Sequence, residues 1–202
     1  MSTPAGARLL RAADRAAAPW KNGGGVTREI AAWPEHAGTD DFAWRVSLAE
    51  VDADGPFSVF PGVDRTLTLA EGAGMDLTVA GERRLVDERW APRHFPGDRP
   101  THCRLLDGPV VNFNVMYRRD RTEARTTVVR GAFGLTVAPD ETVLVVALDG
   151  PLTVEPTDAR GGPPARLAPY DALLADAPLS ALVRTTGSAA LVRLRARGSL
   201  GK

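Results

Sequence analysis

The sequence predicts an all-β protein built as two stacked, jelly-roll-like antiparallel units with few and short helices. Three observations predict this class. The chain has 20 glycines and 16 prolines among 202 residues, and they interrupt it at short intervals, as is typical of β-structure with many turns. Several runs between the turns alternate between apolar and polar residues. One series of runs and turns also occurs twice along the chain.

The alternation is clearest in three runs. Residues 42–48 (FAWRVSL) place Phe, Trp, Val and Leu on one face and Ala, Arg and Ser on the other. Residues 111–117 (VNFNVMY) carry two asparagines on one face, and residues 191–197 (LVRLRAR) alternate near the end of the chain. Helix propensity is confined to the alanine-rich residues 11–18, where Pro19 ends any helix early.

The repeated series is strand, glycine turn, strand, Pro-x-Asp turn, strand, glycine turn and strand. Its two copies share the Pro-x-Asp turn, which lies at residues 96–98 in the first copy and 169–171 in the second. Matching turn residues favour duplication over chance. We therefore predict an N-terminal unit of residues 1–122 and a C-terminal unit of residues 123–202, and early strands could be exchanged between them.

The composition argues against polyanionic partners and membrane insertion. Basic and acidic residues number 25 each, so the formal net charge is zero and offers no electrostatic footprint for nucleic acid or an anionic membrane. No apolar stretch approaches the ~20 residues of a membrane-spanning helix. The single cysteine, Cys103, excludes an intrachain disulfide and fits a reducing compartment. Because residues 1–11 also lack a signal-peptide pattern, we expect a cytoplasmic protein.

The strand and turn pattern resembles the cupin superfamily, and its repetition resembles a bicupin. Four blocks make a more specific resemblance, to the HutD/Ves family. These are residues 19–31 (PWKNGGGVTREIA), 44–51 (WRVSLAEV), 55–65 (GPFSVFPGVDR) and 112–116 (NFNVM). The second half is similar in layout only. The resemblance implies a bicupin and a protein associated with bacterial histidine utilisation, where members are thought to modulate the pathway; some relatives are described as stress-associated proteins.

The sequence does not favour a metal, a nucleotide or a nucleophile. Metal-binding cupins use two histidines one residue apart, and His36, His94 and His102 contain no such pair, so we expect no metal and no cofactor. Residues 23–25 (GGG) precede a strand-like run, which predicts a close backbone crossing rather than a phosphate loop. His102 and Cys103 would face opposite sides of a strand, so we expect no catalytic residue here.

A polar set in the first half predicts a ligand pocket. Asn112 and Asn114 share one strand face, and buried amides need hydrogen-bond partners, which a ligand can supply. The alternative is that both asparagines face solvent on an outer sheet, and the family resemblance favours the pocket. The predicted ligand-binding residues are Lys21, Asn22, Arg45, Ser47, Arg65, Asn112 and Asn114, with Trp20, Trp44 and Phe60 as walls. The second half lacks these asparagines, so we expect it to be structural.

This set suits a small carboxylate bearing an amide or a flat ring, because arginine matches a carboxylate with a bidentate fork and lysine adds a point charge. No general base with an orienting partner is evident. We therefore predict a non-catalytic modulator of histidine catabolism that senses a pathway intermediate such as formylglutamate or urocanate. Formylglutamate is favoured because three cations can neutralise two carboxylates.

Two alternative functions stay open. One is a metal-independent isomerase or hydrolase acting on a small carboxylate, with Glu50 or Asp64 as the base. The other is a stress-associated protein without a ligand. The mostly apolar second unit is also compatible with a homodimer.

Overall fold

The structure, a computed structural model, describes residues 3–20, 23–158 and 162–198. Within these ranges the chain is folded mainly into β-strands, and the one helical element is the short 3-10 turn Ala12–Asp14. The predicted all-β class with little helix is therefore confirmed. Among the described residues, no helix has the length and apolar character needed to cross a membrane.

The described ranges contain seventeen strands. In chain order they are β1 (Ala7–Leu10), β2 (Ala17–Pro19), β3 (Gly25–Trp33), β4 (Trp44–Val51), β5 (Gly55–Phe57), β6 (Val63–Glu71), β7 (Met75–Val79), β8 (Glu82–Val86), β9 (Arg93–Pro96), β10 (Thr101–Leu105), β11 (Val110–Arg118), β12 (Thr122–Val137), β13 (Glu141–Ala147), β14 (Leu152–Pro156), β15 (Ala165–Leu167), β16 (Ala172–Ala175) and β17 (Leu179–Ala196). The two longest, β12 and β17, have 16 and 18 residues.

The chain divides into two compact units. One consists of residues 15–122, and the other combines the segment up to Asp14 with the chain from Glu123 onward. Strand β1 accounts for this division, because it pairs antiparallel with β16 and places Ala7 opposite Ala175. The structural unit therefore differs from the predicted range 1–122 by its first fourteen residues.

Two antiparallel sheets form the 15–122 unit. One has six strands in the order β2-β3-β4-β11-β6-β9, and the other has four in the order β5-β10-β7-β8. Apolar residues of both sheets form one core, to which Leu69 of β6 and Leu77 of β7 both belong. Strand β11 lies inside the larger sheet between β4 and β6, and most residues on both of its faces are buried.

The other unit is built on one seven-stranded sheet with the order β1-β16-β13-β17-β14-β15, and β12 also pairs with β17. Its core consists of aliphatic side chains, among them Val143, Val145, Leu152 and Leu173. Most of the polar residues predicted to bind a ligand are described, and all of those lie in the 15–122 unit. The site is therefore sought there.

A close backbone crossing places Trp20 beside β3. The Trp20 amide donates to the Gly25 carbonyl at 2.9 Å, and the Gly23 amide donates to the Trp20 carbonyl at 3.0 Å. Gly23 has a φ of 71°, which glycine adopts without strain. A Cβ atom on Gly25 would collide with the carbonyl oxygen of Glu50 on β4. The glycine at position 25 is therefore needed for β3 to pair with β4 here.

Gly25→Ala is expected to destabilise the protein by roughly 1–3 kcal/mol, the usual effect of forcing an extra methyl group into a packed site. Gly55→Ala is the matched control, because a Cβ there meets nothing within 4 Å and the residue has no positive φ. That control should stay within about 0.5 kcal/mol of the parent. Urea unfolding measures both, and equal stabilities for the two variants would contradict the close crossing at Gly25.

Candidate ligand-binding site

A cavity of about 580 Å³ lies in the 15–122 unit, within the range of about 300–1,000 Å³ that small-molecule sites occupy. Alternate residues of three neighbouring strands point into it, as the two-residue period of a strand requires. From these strands the lining is Arg45, Ser47, Ala49 and Val51 on β4, Arg65 and Leu67 on β6, and Asn112, Asn114 and Met116 on β11. The side walls include Trp20 and Phe57.

Most of the predicted binding residues come together at this cavity. Those that line it are Trp20, Arg45, Ser47, Phe60, Arg65, Asn112 and Asn114. Trp44 does not line it; it alternates with Arg45 on β4 and lies buried on the opposite face, 6% exposed. Lys21 and Asn22 lie outside the described residues. That the cavity binds a ligand stays a prediction.

The two asparagines are buried rather than solvent-facing. Asn112 is 0% and Asn114 is 5% exposed, although the polar and apolar residues of β11 alternate as on a half-solvated strand. The alternative that they lie on an outer sheet face is therefore wrong. The second sheet of the unit explains the burial, because it packs over this face and places Met75 of β7 against the amide of Asn112.

Arg65 is a buried cation held between aromatic rings. Its guanidinium carbon lies 5.0 Å from the ring centroid of Phe57 and 5.2 Å from that of Phe95, distances at which cation–π attraction operates. Phe95 occupies this place because it is paired with Arg65 in the β6–β9 register. Gly97 packs against the aliphatic part of the arginine, where a Cβ atom would come within 3.1 Å of Cγ and Cδ.

No carboxylate of the described chain forms an ion pair with Arg65. The residue is 8% exposed, and its Nε atom is buried without a hydrogen-bond partner. Burial lowers the pKa of Arg65 to about 10, so the side chain still carries its charge at neutral pH. A buried charge without a counterion is unfavourable, and an anion bound in the cavity would relieve that cost.

The amides of Asn112 and Asn114 have unmet hydrogen-bonding capacity. The Oδ1 atom of each is buried without a partner in the described chain. Within the described chain, the Nδ2 atom of Asn112 donates only to the sulfur of Met75, at 4.0 Å. Buried polar groups are generally hydrogen-bonded, so these two oxygens can accept hydrogen bonds from donors on a ligand.

Two further polar contacts shape the cavity rim. The Nε atom of Arg45 donates to Oε2 of Glu29 at 2.7 Å, so this cation is already ion-paired. The indole nitrogen of Trp20 donates to Thr27 Oγ1 at 2.8 Å, and the Trp20 ring meets Phe57 edge-on with centroids 6.2 Å apart. These contacts fix Trp20 as an apolar wall.

Neither candidate base of the enzyme alternative faces the cavity. Glu50 lies on the other face of β4 and pairs with Arg28 at 2.7 Å. Asp64 precedes Arg65 on β6 and pairs with Arg119 at 2.8 Å. None of the described cavity-lining residues is an aspartate, glutamate or histidine. The proposed roles of Glu50 and Asp64 as bases at this site are therefore wrong.

Cys103 lies in the core of the unit, away from solvent. It is 0% exposed, its sulfur lies 3.7 Å from that of Met75, and burial raises the pKa of the thiol to about 11. His102 is exposed on the other side of β10, as strand alternation predicts. Among the described residues, no group of three histidine, cysteine, aspartate or glutamate side chains could hold a metal ion.

Several important neighbours escaped the sequence analysis. Phe57 and Phe95 pack on Arg65, Met75 lies beside Asn112, and Glu29 neutralises Arg45. Phe57 belongs to the block 55–65, whose only signal in the sequence is the family resemblance. The other contacts join strands whose register the sequence does not reveal.

Comparison with solved structures defines the class of the protein. The "Cupin 2 conserved barrel domain protein from Leptotrichia buccalis" is 11% identical, matches with a TM-score of 0.55 and covers 86% of this chain and 89% of its own. The likeness at this identity shows the fold alone. The protein therefore has a cupin fold, as the repeated strand series predicted.

The family follows from closer relatives. A family model described as HutD matches residues 12–192, so the chain belongs to the HutD family. The "Structure of HutD from Pseudomonas fluorescens SBW25 (Formate condition)" is 35% identical, with a TM-score of 0.81, and covers 95% of this chain and all of that one. An "Uncharacterized 21.2 kDa protein in hutC 3'region" of Pseudomonas putida is 36% identical, over 82% of this chain and 85% of its own. Protein Ves of Cronobacter sakazakii is 40% identical over 56% of this chain and 62% of its own length.

Proposed function

We propose that this protein binds a small carboxylate in the cavity of the 15–122 unit without turning it over, and that it thereby modulates histidine utilisation. The observation that carries the proposal is Arg65, a buried cation that lines the cavity and has no ion-pair partner in the described chain. A carboxylate is the natural counterion, because its two oxygens match the arginine fork.

The rest of the lining fits such a ligand. Asn112 and Asn114 offer buried amide oxygens without partners, which suits a ligand with N–H donors. Trp20, Phe57 and Phe60 supply apolar walls that lower the local dielectric constant and strengthen the charge–charge contact. The described lining contains no carboxylate or histidine side chain that could transfer a proton. This composition favours binding over catalysis.

The family supports the pathway. The P. putida relative is named for its position in the hutC 3' region, and the chain belongs to the HutD family. Urocanate and formylglutamate are the intermediates we propose as candidate ligands, because both bear a carboxylate and an N–H group. A preference for formylglutamate over urocanate would require three free cations, and the pairing of Arg45 with Glu29 removes one of them.

A binding screen tests the proposal. Urocanate, formylglutamate, histidine, glutamate and formate are added to the protein, and the shift in melting temperature is recorded. A ligand at 100 times its dissociation constant should add about 2.7 kcal/mol of stability. If none of the five compounds shifts the melt, a carboxylate-binding function is excluded and the alternative of a stress-associated protein without a ligand is favoured. Product formed from a bound compound would instead favour the enzyme alternative.

Asn114→Leu is expected to weaken binding by about 1–3 kcal/mol, because a ligand donor then loses its acceptor. Thr68→Val is the matched control, since Thr68 Oγ1 is also buried without a partner but Thr68 does not line the cavity. Calorimetric titration of the best ligand measures both variants. Equal affinities for Asn114→Leu and the parent would remove Asn114 from the site.

A further inference from the structure

The described residues that line the cavity include two cations, Arg45 and Arg65, and only one of them is ion-paired within the described chain. Arg65 has no ion-pair partner in the described chain, whereas Arg45 donates from Nε to Glu29 Oε2 at 2.7 Å. The Arg45 side chain is 19% exposed and that of Glu29 is 37% exposed. The pair therefore lies at the edge of the cavity, where its net charge is zero.

Strand register places the two arginines on either side of one residue. Met116 of β11 is opposite Arg45 of β4 and also opposite Arg65 of β6. Neighbouring strands are about 4.8 Å apart, so the two arginine Cα atoms are separated by roughly 10 Å. A small dicarboxylate could pair with two arginines at this spacing if neither arginine were already paired with a carboxylate of the protein.

We propose that Glu29 determines specificity: by neutralising Arg45, it makes the cavity select ligands with one carboxylate over matched ligands with two. This inference rests on the proposed function, in which Arg65 receives the first carboxylate. A second carboxylate that approaches Arg45 also approaches Glu29, and like charges repel at close range. An uncharged amide in the same place avoids that repulsion and can still accept a hydrogen bond from Arg45.

Of the two described carboxylates on β3 and β4 that pair with arginines, Glu29 has the partner that lines the cavity. Glu50 forms the other carboxylate–arginine pair between β3 and β4, with Arg28, and both of its members are absent from the cavity lining. Glu29 itself lies two residues along β3 from Thr27, which does line the cavity. Changing the charge of Glu50 should therefore alter the protein's net charge without altering the charge next to the ligand.

Two ligands of the same size and shape test the inference: formylglutamate, with two carboxylates, and formylglutamine, with one carboxylate and one amide. Calorimetry gives the ratio of their dissociation constants. The parent should prefer formylglutamine, and Glu29→Gln should shift the ratio toward formylglutamate by about fivefold, the upper end of the effect of a partly exposed ion pair. The matched control Glu50→Gln should leave the ratio within about twofold.

A double variant, Glu29→Gln with Arg45→Gln, tests whether Glu29 acts through Arg45, because it should lose the shift. Lys21 is a further cation of the sequence and lies outside the described residues. The same measurements are therefore repeated in a Lys21→Met background, where Glu29→Gln should still shift the ratio of the dissociation constants. An unchanged ratio in Glu29→Gln, or an equal shift in Glu50→Gln, overturns the inference. If neither compound binds, or if both bind Arg65→Met as well as they bind the parent, the proposed function fails as well.

Discussion

Arg65→Met is expected to weaken carboxylate binding at least thirtyfold while leaving the ligand-free protein as stable as the parent or more stable. Truncating one partner of a buried charge pair usually lowers affinity by about 2–5 kcal/mol, a loss of roughly thirtyfold to several thousandfold. In the ligand-free state Arg65 has no counterion in the described chain and is 8% exposed. Replacing a buried ion pair by apolar side chains of similar volume is often neutral or stabilising by about 1–4 kcal/mol, and a buried cation without a counterion carries the same desolvation cost.

Calorimetry with the best ligand and urea unfolding without ligand measure the two effects of Arg65→Met. Arg93→Met is the matched control, because Arg93 lies two residues before Phe95 on β9 but is exposed and pairs with Glu88 at 3.3 Å. It should bind ligand normally. A stable Arg65→Met variant that retains full affinity would disprove the binding role. A loss of ligand-free stability greater than about 2 kcal/mol would instead assign Arg65 a structural role.

Asp171→Ala should destabilise the protein by up to about 3 kcal/mol, the lower end of the cost of breaking a buried charge pair, because the Arg11 side chain is 27% exposed. Asp171 is 4% exposed. Its carboxylate accepts a hydrogen bond from Arg11 at 2.6 Å, from the Ala12 amide at 2.8 Å and from the Ala168 amide at 3.0 Å. These contacts hold residues 11 and 12 against Asp171. The substitution therefore removes the acceptor of the Ala12 and Ala168 amides and breaks the ion pair of Arg11, which also donates to the Arg166 carbonyl at 3.1 Å.

The stabilisation by Asp171 should depend on pH. Burial alone raises the pKa of Asp171, but the hydrogen bonds from Ala12, Arg11 and Ala168 outweigh it and hold the pKa below its ordinary value. A carboxyl with a lowered folded-state pKa stabilises the fold fully above its unfolded-state pKa, about 3.9. The contribution is then lost as the pH falls through the folded-state pKa.

Urea unfolding of the parent and Asp171→Ala between pH 7 and pH 3 measures this dependence. The difference in unfolding free energy should be constant from pH 7 to about pH 5 and shrink below about pH 4. Asp140→Ala serves as control, since Asp140 is exposed, and it should stay within about 0.5 kcal/mol of the parent. A difference for Asp171→Ala that does not change with pH would contradict a role for the ionised carboxylate.

Much of the fold could be predicted because β-strands and turns have recognisable patterns over a few consecutive residues. Alternating runs and glycine turns identified the strands, and the asparagine face of β11 indicated the cavity. The burial of that face could not be read from alternation, because Asn112 and Phe113 look like the two sides of a half-solvated strand. Only the packing of the second sheet over this face, where Met75 of β7 contacts Asn112, shows that the asparagines are interior.

Contacts between distant strands could not be predicted. The pairing of β1 with β16 joins Ala7 to Ala175, and no local pattern specifies it. The pairing of Glu29 with Arg45 likewise depends on the register of β3 against β4. The position of Trp44 could have been predicted from the sequence. Trp44 and Arg45 are adjacent on one strand, so their side chains point to opposite faces and cannot both line the same cavity.

The most direct test of the carboxylate site is the NMR signal of the Arg65 Nε–H group. It is assigned as the arginine side-chain signal that is missing in Arg65→Met, and it is followed during titration with urocanate and with the uncharged methyl ester of urocanate. We predict a saturable shift with urocanate and none with the ester, because only the carboxylate pairs with the guanidinium. An Arg65 signal that does not move at saturating urocanate, or that moves equally with the ester, would contradict a carboxylate bound at this arginine.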